Sequence, residues 1–308
     1  MNIFDPDLSV RLGNLDLKNP VILASGTSGY GEECARFIDL NRLGGIVVKG
    51  TSLMPRLGNP PQRIAETASG IISSIGLQNV GVDRFIIDKL PFLKKFDVRT
   101  IVNIVGSSIN EYGEVAKKLN DAEGVSALEV NVSCPNVKEG GISFGRDPRE
   151  IYRVVKSVRA STRLPLIVKL SPDVTDISSI ARAAADGGSD ILSLINNIPS
   201  MIVDVKTRRP VLGNVTGGLS GPAIKPIALR MVWQVHQAAI GLPIIGIGGI
   251  SNFADAVEFI LAGASAIQVG TANLVDPEVS LKIIIGLKAY CVENKVDKIS
   301  ELVGALIC

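Results

Sequence analysis

Eight short apolar segments recur along the chain, and helical patterns of apolar and polar residues separate most of them. Each segment is a nearly continuous run of valine, isoleucine and leucine, which is typical of parallel strands that are covered on both faces. The segments are residues 21–25, 45–50, 100–105, 127–133, 165–171, 191–196, 243–249 and 266–271. A strand followed by a helix, repeated eight times, predicts an α/β fold of the (β/α)₈ or TIM barrel type.

Two intervals between predicted strands are too long for a single crossover helix. Residues 51–99 and 197–242 each contain a helical pattern and additional sequence rich in glycine and proline. Both intervals follow a strand, so we expect both insertions to lie over the C-terminal face, where barrel active sites are built. No low-complexity linker interrupts the βα pattern, and residues 1–308 are expected to form one domain.

The composition agrees with one large barrel and indicates small ligands. The chain has 308 residues, of which 46% are hydrophobic and 20% charged, and such a barrel typically takes about 250 residues plus insertions. A net charge of +2 argues against a nucleic-acid or anionic-membrane partner. The N-terminus lacks a signal-peptide pattern and no apolar run approaches roughly 18 residues, so a cytoplasmic protein is expected.

The four cysteines are far apart in the sequence and form no CxxC pair. Local spacing therefore predicts no metal site, no iron–sulfur cluster and no disulfide. They are Cys34, Cys134, Cys291 and Cys308.

Every predicted strand ends in a polar residue or a glycine. Because parallel strands deliver their C-terminal ends to one rim, these residues form a candidate functional face. They are Ser25, Lys49, Asn103, Asn131, Lys169, Asn196, Gly248 with Gly249, and Gly270 with Thr271. The glycines of the last two strands, followed by helix N-termini, indicate a phosphate site, although tight βα turns are the structural alternative.

Lys49 and Lys169 are embedded in apolar strands. A lysine in such a place is costly to bury without an anionic partner, unless it extends its side chain to the surface. Two lysines that face one site could hold an anionic cofactor or substrate, or one could form a Schiff base. The predicted phosphate site does not choose between these possibilities.

Ten segments together resemble the catalytic subunit of class 1B dihydroorotate dehydrogenases, over essentially the whole chain. They include "RLGNPPQRIAET" (56–67), "NVSCPNVKEGG" (131–141) and "TGGLSGPAIKP" (216–226). The resemblance implies an FMN-containing barrel that oxidises dihydroorotate to orotate in pyrimidine biosynthesis. In the implied reaction, a base would remove a proton from C5 of the substrate ring while a hydride would pass from C6 to flavin N5.

The resemblance implies that Cys134 is this base, and nearby lysines would favour its thiolate. His236, on an amphipathic helical pattern, is interpreted as structural, and the other cysteines as inert. Lys169 would stabilise negative charge at flavin N1 and the C2 carbonyl. The implied FMN contacts are Ser25, Lys49, Gly50, Asn103, Asn131, Lys169, Ile195, Gly221, Gly248, Gly249, Gly270 and Thr271.

The implied substrate contacts include two departures from the family pattern. The contacts are Lys49, Ser73, Ser74, Ile75, Gly76, Leu77, Asn131, Asn196 and Asn197. Ser73 and Ser74 stand where the family usually has Asn-Ala, and Asn197 stands where it usually has threonine. Either Asn197 supplies the amide that Ser73 lacks, or the substrate is another dihydropyrimidine, for instance one without a carboxylate. The presence of Lys49 favours the first interpretation.

In class 1B enzymes electrons reach NAD through a separate subunit that carries FAD and a 2Fe-2S cluster. This chain has neither a cysteine cluster nor a dinucleotide-binding fingerprint. The resemblance therefore implies such a partner subunit, with a homodimer of catalytic subunits inside a heterotetramer. A flavin-free phosphate-binding barrel lyase or isomerase stays open as an alternative from a different class.

Overall fold

The computed structural model describes residues 4–132 and 144–307, and in it eight parallel strands close into a barrel. The strands are β1 (Val21–Leu23), β2 (Gly45–Thr51), β3 (Arg99–Ile104), β4 (Ala127–Asn131), β5 (Leu166–Leu170), β6 (Ile191–Leu194), β7 (Ile244–Ile247) and β8 (Ala266–Val269). Neighbours follow chain order, and β8 pairs with β1 to close the ring. The predicted TIM barrel is confirmed.

Helices surround the barrel, and four of the six longer ones begin at a residue whose side chain caps the first turn. The longer ones are Ile109–Asn120, Pro148–Ser161, Ile177–Asp186, Lys225–Gln237, Phe253–Leu261 and Val279–Asn294. Ser108 and Asp147, for example, accept hydrogen bonds from the first-turn N–H groups of the helices they precede. Among residues 4–132 and 144–307, no helix has the length and apolar character needed to span a membrane.

Shorter helical turns fill the connections. The segment between β2 and β3 contains Val82–Arg84, a π-helical turn Phe85–Lys89, and Leu90–Leu93. Ala272–Val275 follows β8, and 3₁₀ turns occupy Cys34–Arg36, Leu40–Arg42, Pro222–Ile224 and Ile299–Leu302.

The main hydrophobic core lies between the strands and the inward faces of the helices. All five residues of β5 are buried, as expected for a strand covered on both sides. The helix Pro148–Ser161 buries Ile151, Val154, Val155 and Val158, which is the i, i+3, i+4, i+7 spacing of one helical face. This packing fixes the strand ends that carry the candidate site.

The two long insertions meet in one four-stranded antiparallel sheet. Its strands run in the order Ile198–Met201, Thr216–Ser220, Gly70–Ser73 and Ile64–Thr67. The insertions leave β2 and β6 at their C-terminal ends, so the sheet lies on the expected side of the barrel. A two-stranded hairpin, Val203–Asp204 with Arg209–Pro210, extends from it.

A second hairpin, Val10–Leu12 with Leu15–Leu17, lies at the opposite end of the barrel. The Arg99 side chain, at the first residue of β3, donates from Nε to the Asp16 carbonyl at 2.9 Å. The hairpin buries Leu12, Leu15 and Leu17 against the core, and so covers the barrel bottom with apolar side chains. The C-terminal mouth is left as the open end.

Candidate active site

A buried carboxylate lies inside the barrel, just below the rim that carries the predicted site residues. Glu129 of β4 is 0% exposed. Its Oε2 accepts from Asn103 Nδ2 at 2.8 Å, and its Oε1 accepts from Ser193 Oγ at 3.0 Å and Gln268 Nε2 at 2.7 Å. The Lys169 ammonium is 3.8 Å from Oε2. These five side chains, from five strands, form what we call the barrel floor.

Lys169 belongs to this floor and not to the surface. It is 5% exposed, and its Nζ donates to Ser25 Oγ at 3.4 Å. The ion pair with Glu129 supplies the anionic partner that a buried lysine requires. The alternative of a lysine that reaches out to the surface is therefore wrong for Lys169.

Lys49 lies in a different setting at the rim. The pairing of β2 with β3 shifts register between Val48 and Thr51, and such an irregularity redirects the side chains within it. Lys49 is half-buried, and burial lowers its pKa; the nearby Arg63 lowers that pKa further and Glu33 opposes the change. The rim therefore carries an incompletely compensated cation, which an anionic ligand would stabilise.

Two carboxamides stand side by side at the ends of β4 and β6. Asn196 Nδ2 donates to Asn131 Oδ1 at 3.2 Å, and the backbone N–H of Asn197 donates to Asn196 Oδ1 at 2.9 Å. The Tyr112 hydroxyl fixes the backbone by donating to the Asn131 carbonyl at 2.7 Å. A carboxamide offers both donors and an acceptor, so this pair can match the alternating N–H and C=O groups of a pyrimidine ring.

The segment Ser73 to Leu77 leads from the sheet of the insertions to the rim. Ser74 Oγ accepts from Asn59 Nδ2 at 2.9 Å, which anchors the segment to the neighbouring loop. A Cβ built on Gly50, the residue after Lys49, would lie 3.6 Å from Leu77 Cδ2. Leu77 is therefore placed beside the end of β2, close to the predicted substrate lysine.

Ser73 and Asn197, the two departures from the family pattern, lie close together. Ser73 pairs with Gly218 in the sheet. A Cβ built on Gly218 would lie 2.5 Å from Asn197 Cβ and 2.9 Å from its Nδ2. The Asn197 carboxamide thus packs on the strand that neighbours Ser73.

The glycines predicted to bind phosphate converge with Thr271 on one side of the mouth. Gly221 and Gly249 have φ of +99° and +71°, and a Cβ on Gly249 would lie 2.8 Å from the Gly221 carbonyl oxygen. Thr271 Oγ1 donates to Ser220 Oγ at 2.8 Å. Backbone conformation and packing already require glycine at Gly221 and Gly249, and Gly248 likewise has φ of +131°.

Gly270 differs from these glycines. Its φ does not lie in the left-handed region, and an added Cβ would meet Ala24 Cβ at 3.5 Å and Thr27 Cγ2 at 3.9 Å, which are ordinary contacts. The protein itself does not require glycine at this position. Gly270 therefore leaves open space at the end of β8, and a group bound close to the backbone would need this space.

The chain matches a family model described as dihydroorotate dehydrogenase over residues 7–290. It belongs to the dihydroorotate dehydrogenase family. It is 56% identical over 302 residues to a protein of Geotalea uraniireducens named dihydroorotate dehydrogenase B (NAD(+)), catalytic subunit, covering 98% of this chain and 99% of the relative. A protein of Desulforamulus reducens with the same name is 57% identical over 299 residues, covering 97% and 98%.

A solved structure shows the same architecture. The dihydroorotate dehydrogenase of Eimeria tenella, crystallised with ferulenol, has a TM-score of 0.81 to this chain at 25% identity, covering 99% of this chain and 90% of the other. The prediction of a class 1B dihydroorotate dehydrogenase, an enzyme of pyrimidine biosynthesis, is confirmed. The family is flavin-dependent, so the flavin-free lyase or isomerase is excluded.

Most of the residues implied by the family resemblance lie at one barrel mouth. Cys134 and Ile195 are the two exceptions. Cys134 lies outside the residues that the structure describes. Ile195 is buried, and its backbone N–H donates to the Ile247 carbonyl at 2.9 Å, which ties β6 to β7 beneath the rim.

Cys34, Cys291 and His236 lie in structural settings, and Cys308, like Cys134, lies outside the described residues. Burial raises the pKa of the Cys34 thiol to about 11, and Glu33 adds to this effect. Cys291 is fully buried, and burial raises the pKa of its thiol. His236 lies at the C-terminal end of its helix, against Gly263 and Gly304.

Sequence reasoning did not single out Glu129, Ser193 or Gln268. Each lies inside an apolar strand segment, at a position that alternation directs into the barrel. The signal available was a carboxylate in the middle of a run of buried residues, which needs partners. The partners of Glu129 could not be predicted from neighbouring sequence, because they come from strands that are far apart in the chain.

Proposed function

We propose that this protein, as one FMN-binding domain over residues 1–308, oxidises dihydroorotate to orotate. The observation that carries the proposal is the presence of two lysines in unlike settings at one barrel mouth. Lys169 is buried and ion-paired on the floor, whereas Lys49 is half-buried at the rim with a lowered pKa. The first suits a resident cofactor, and the second suits an anionic substrate that exchanges with solvent.

The residues at the mouth fit FMN. Ser25 and Asn103 offer polar groups to the flavin ring, and Lys169 offers a cation. Asn103 and Lys169 both contact Glu129, and Lys169 also donates a hydrogen bond to Ser25. Backbone groups near Gly221, Gly248 and Gly249 and the Thr271 hydroxyl would receive the phosphate, and Gly270 leaves space beside them. Gly50, Asn131 and Ile195 would complete the pocket. When bound, FMN supplies the hydride acceptor.

The substrate would lie between Lys49 and the paired carboxamides. Lys49 would bind the carboxylate, while Asn131 and Asn196 would bind the ring amide groups. The segment from Ser73 through Ser74, Ile75 and Gly76 to Leu77 would cover the opposite side. A ligand without matching groups would leave these polar side chains unpaired, which gives strong selectivity.

Cys134 would act as the base. Its thiolate sulfur would take the C5 proton of dihydroorotate, while the hydride at C6 leaves toward the flavin and the C5–C6 double bond forms. Lys49 and the two asparagines would hold the ring during this step, so that both C–H bonds face their acceptors. The Lys169 ammonium would stabilise the negative charge that the flavin gains.

Oxidation of another dihydropyrimidine is the second candidate, because Ser73 and Asn197 depart from the family pattern. Two observations favour dihydroorotate over it. The Asn197 carboxamide packs against Gly218, the pairing partner of Ser73, so it can supply the amide that Ser73 lacks. Lys49 would have no role toward a ring without a carboxylate.

Electrons would leave the reduced flavin through a partner. The relatives are named catalytic subunits with NAD(+), which supports a partner subunit that carries FAD and a 2Fe-2S cluster. Among residues 4–132 and 144–307, no group of three or more His, Cys, Asp or Glu side chains could hold a metal ion. We expect a homodimer within a heterotetramer in the cytoplasm, and slow turnover with NAD when the chain is alone.

The base assignment is tested by orotate formation with an artificial electron acceptor. Cys134→Ala should retain FMN and lose about 10²- to 10⁴-fold in rate, the usual contribution of a positioned base. Cys34→Ala is the matched control, because the raised pKa of Cys34 keeps it a neutral thiol, and it should keep its rate. Undiminished orotate formation by Cys134→Ala would remove Cys134 from the mechanism.

A further inference from the structure

The carboxylate of Glu129 is surrounded by groups that act as hydrogen-bond donors toward it. Asn103 Nδ2, Ser193 Oγ and Gln268 Nε2 donate to it, and the Lys169 ammonium lies 3.8 Å away. A carboxylate accepts hydrogen bonds on both oxygens, whereas a carboxamide accepts on only one. A carboxylate at this position therefore satisfies all of these groups in the orientations that they have.

The same carboxylate determines how the Gln268 side chain is turned. Its Nε2 donates to Glu129, and its Oε1 is the one buried side-chain polar atom without a hydrogen-bond partner within residues 4–132 and 144–307. An unsatisfied buried oxygen is unfavourable. The orientation of Gln268 is thus set by the carboxylate and not by the surroundings of its own oxygen.

Two of the groups around Glu129 are the side chains through which the floor would meet the flavin. Asn103 is 1% exposed and is held by Glu129 Oε2, and Lys169 contacts that same oxygen as its counter-ion. We propose that Glu129 is a positioning residue that orients Asn103 and Lys169 toward the flavin and, by offsetting the Lys169 charge, sets the flavin reduction potential. This inference rests on the proposed function only in requiring that the mouth bind a flavin.

The charge of Glu129 should affect the flavin reduction potential in a definite direction. A cation near flavin N1 favours the reduced, negatively charged flavin, and an anion behind that cation weakens the effect. Glu129→Gln removes the anion at almost constant side-chain volume and leaves Lys169. The flavin should then be easier to reduce.

The first experiment is a redox titration of the flavin-loaded protein with a chemical reductant and indicator dyes. Glu129→Gln should shift the equilibrium between oxidised and reduced flavin at least tenfold toward the reduced form, which is about 30 mV for a two-electron couple. Glu129→Asp retains the charge, and Ser193→Ala removes one donor without changing charge, so both should shift the equilibrium less than threefold. If Glu129 only stabilised the fold, the reduction potential would not distinguish Glu129→Gln from the other two variants.

An unchanged or lowered potential in Glu129→Gln would overturn the proposal. So would a shift of equal size in Ser193→Ala. Because the titration uses no dihydroorotate, its result is independent of the substrate assignment. Failure of dihydroorotate to reduce the wild-type flavin would end the proposed function and leave this inference standing.

A double-mutant cycle covers the case in which Glu129→Gln is too unstable to load with flavin. Removing one partner of a buried ion pair leaves an uncompensated charge, whereas removing both relieves it. The full-length double variant Glu129→Gln with Lys169→Gln should therefore unfold at a higher denaturant concentration than Glu129→Gln alone. A double variant as unstable as the sum of the two single changes would contradict the pairing of Glu129 with Lys169.

Discussion

The floor and the rim of the barrel mouth differ in how the charge of their lysine is compensated. On the floor, Lys169 is 5% exposed and lies 3.8 Å from the fully buried Glu129 carboxylate. At the rim, Lys49 is half-buried, and burial lowers its pKa. The floor lysine is therefore paired with an anion within the protein, as a site for a resident cofactor would require, whereas the rim lysine is left available for an anionic ligand that exchanges with solvent.

The backbone that carries the floor is also more regular than the backbone that carries the rim. The floor side chains project from barrel strands whose backbone is hydrogen-bonded on both sides. The rim depends on a register shift in β2 and on the sheet built from the two insertions. A site on rigid strands holds its geometry, whereas loops and insertions can be altered to change specificity.

The largest effect is expected from breaking the floor. Lys169→Met leaves Glu129 buried without its counter-ion, and this should lower the free energy of unfolding by about 3–5 kcal/mol and weaken FMN binding. Denaturant unfolding and an FMN titration measure the two effects. Lys117→Met, at an exposed position on the helix Ile109–Asn120, is the control and should change stability by less than about 0.5 kcal/mol. A loss below about 1 kcal/mol in Lys169→Met would mean that the floor pair is not a structural unit.

Breaking the rim should affect the ligand and not the fold. Lys49→Gln would remove the proposed charge-assisted contact to the orotate carboxylate, which should weaken orotate binding by about 1.5–3 kcal/mol, or roughly 10- to 150-fold. The free energy of unfolding should stay the same or rise, because the burial cost of the Lys49 charge is removed. Titration of the flavin spectrum with orotate gives the affinity. Unchanged affinity would show that Lys49 does not contact the carboxylate.

Orotate affinity should depend on pH through the charge of Lys49. Only charged Lys49 attracts a carboxylate, and its pKa in the free protein lies below the usual 10.5. Affinity should therefore fall as the pH rises through this lowered pKa, by at most about tenfold per pH unit. Between the lowered pKa and 10.5 the unfolded chain binds more protons, so this lysine makes stability rise with pH in that window. A Lys49→Gln variant with the same pH profile as wild type would contradict the assignment.

The smallest effect is expected at the departures from the family pattern. Ser73→Asn restores the usual amide where Asn197 already packs nearby, and it should leave dihydroorotate oxidation intact or improve it a few-fold. Asn197→Ala should lower activity, and adding Ser73→Asn should recover part of the loss. Steady-state rates of the three variants provide the test. A large loss in Ser73→Asn would indicate that Ser73 is adapted to a different ligand.

The barrel strands could be predicted from the sequence because both faces of each strand are covered, so apolar runs such as 166–170 stand out. The sheet of the insertions could not, because strands such as Gly70–Ser73 and Thr216–Ser220 are short, half-exposed and glycine-containing. The apolar strand sequences also show that Lys49 and Lys169 are both costly to bury. The different settings of the two lysines cannot be predicted, because they depend on Glu129 and on the register shift in β2.

The assignment of the base does not depend on the structure. Its assignment to Cys134 comes from the family resemblance, and Cys134 lies outside the described residues. The loss of activity expected for Cys134→Ala, against the Cys34→Ala control, is therefore the test of that prediction.

The most direct test of the account is an anaerobic mixing experiment with the purified, flavin-loaded protein. Dihydroorotate and dihydrouracil, which differ in the carboxylate that Lys49 would bind, are added separately, and bleaching of the visible flavin band is followed. We predict fast bleaching by dihydroorotate and little by dihydrouracil. Bleaching by dihydrouracil alone, or by neither compound with FMN bound, would contradict the assignment of the rim to a carboxylate-bearing dihydropyrimidine.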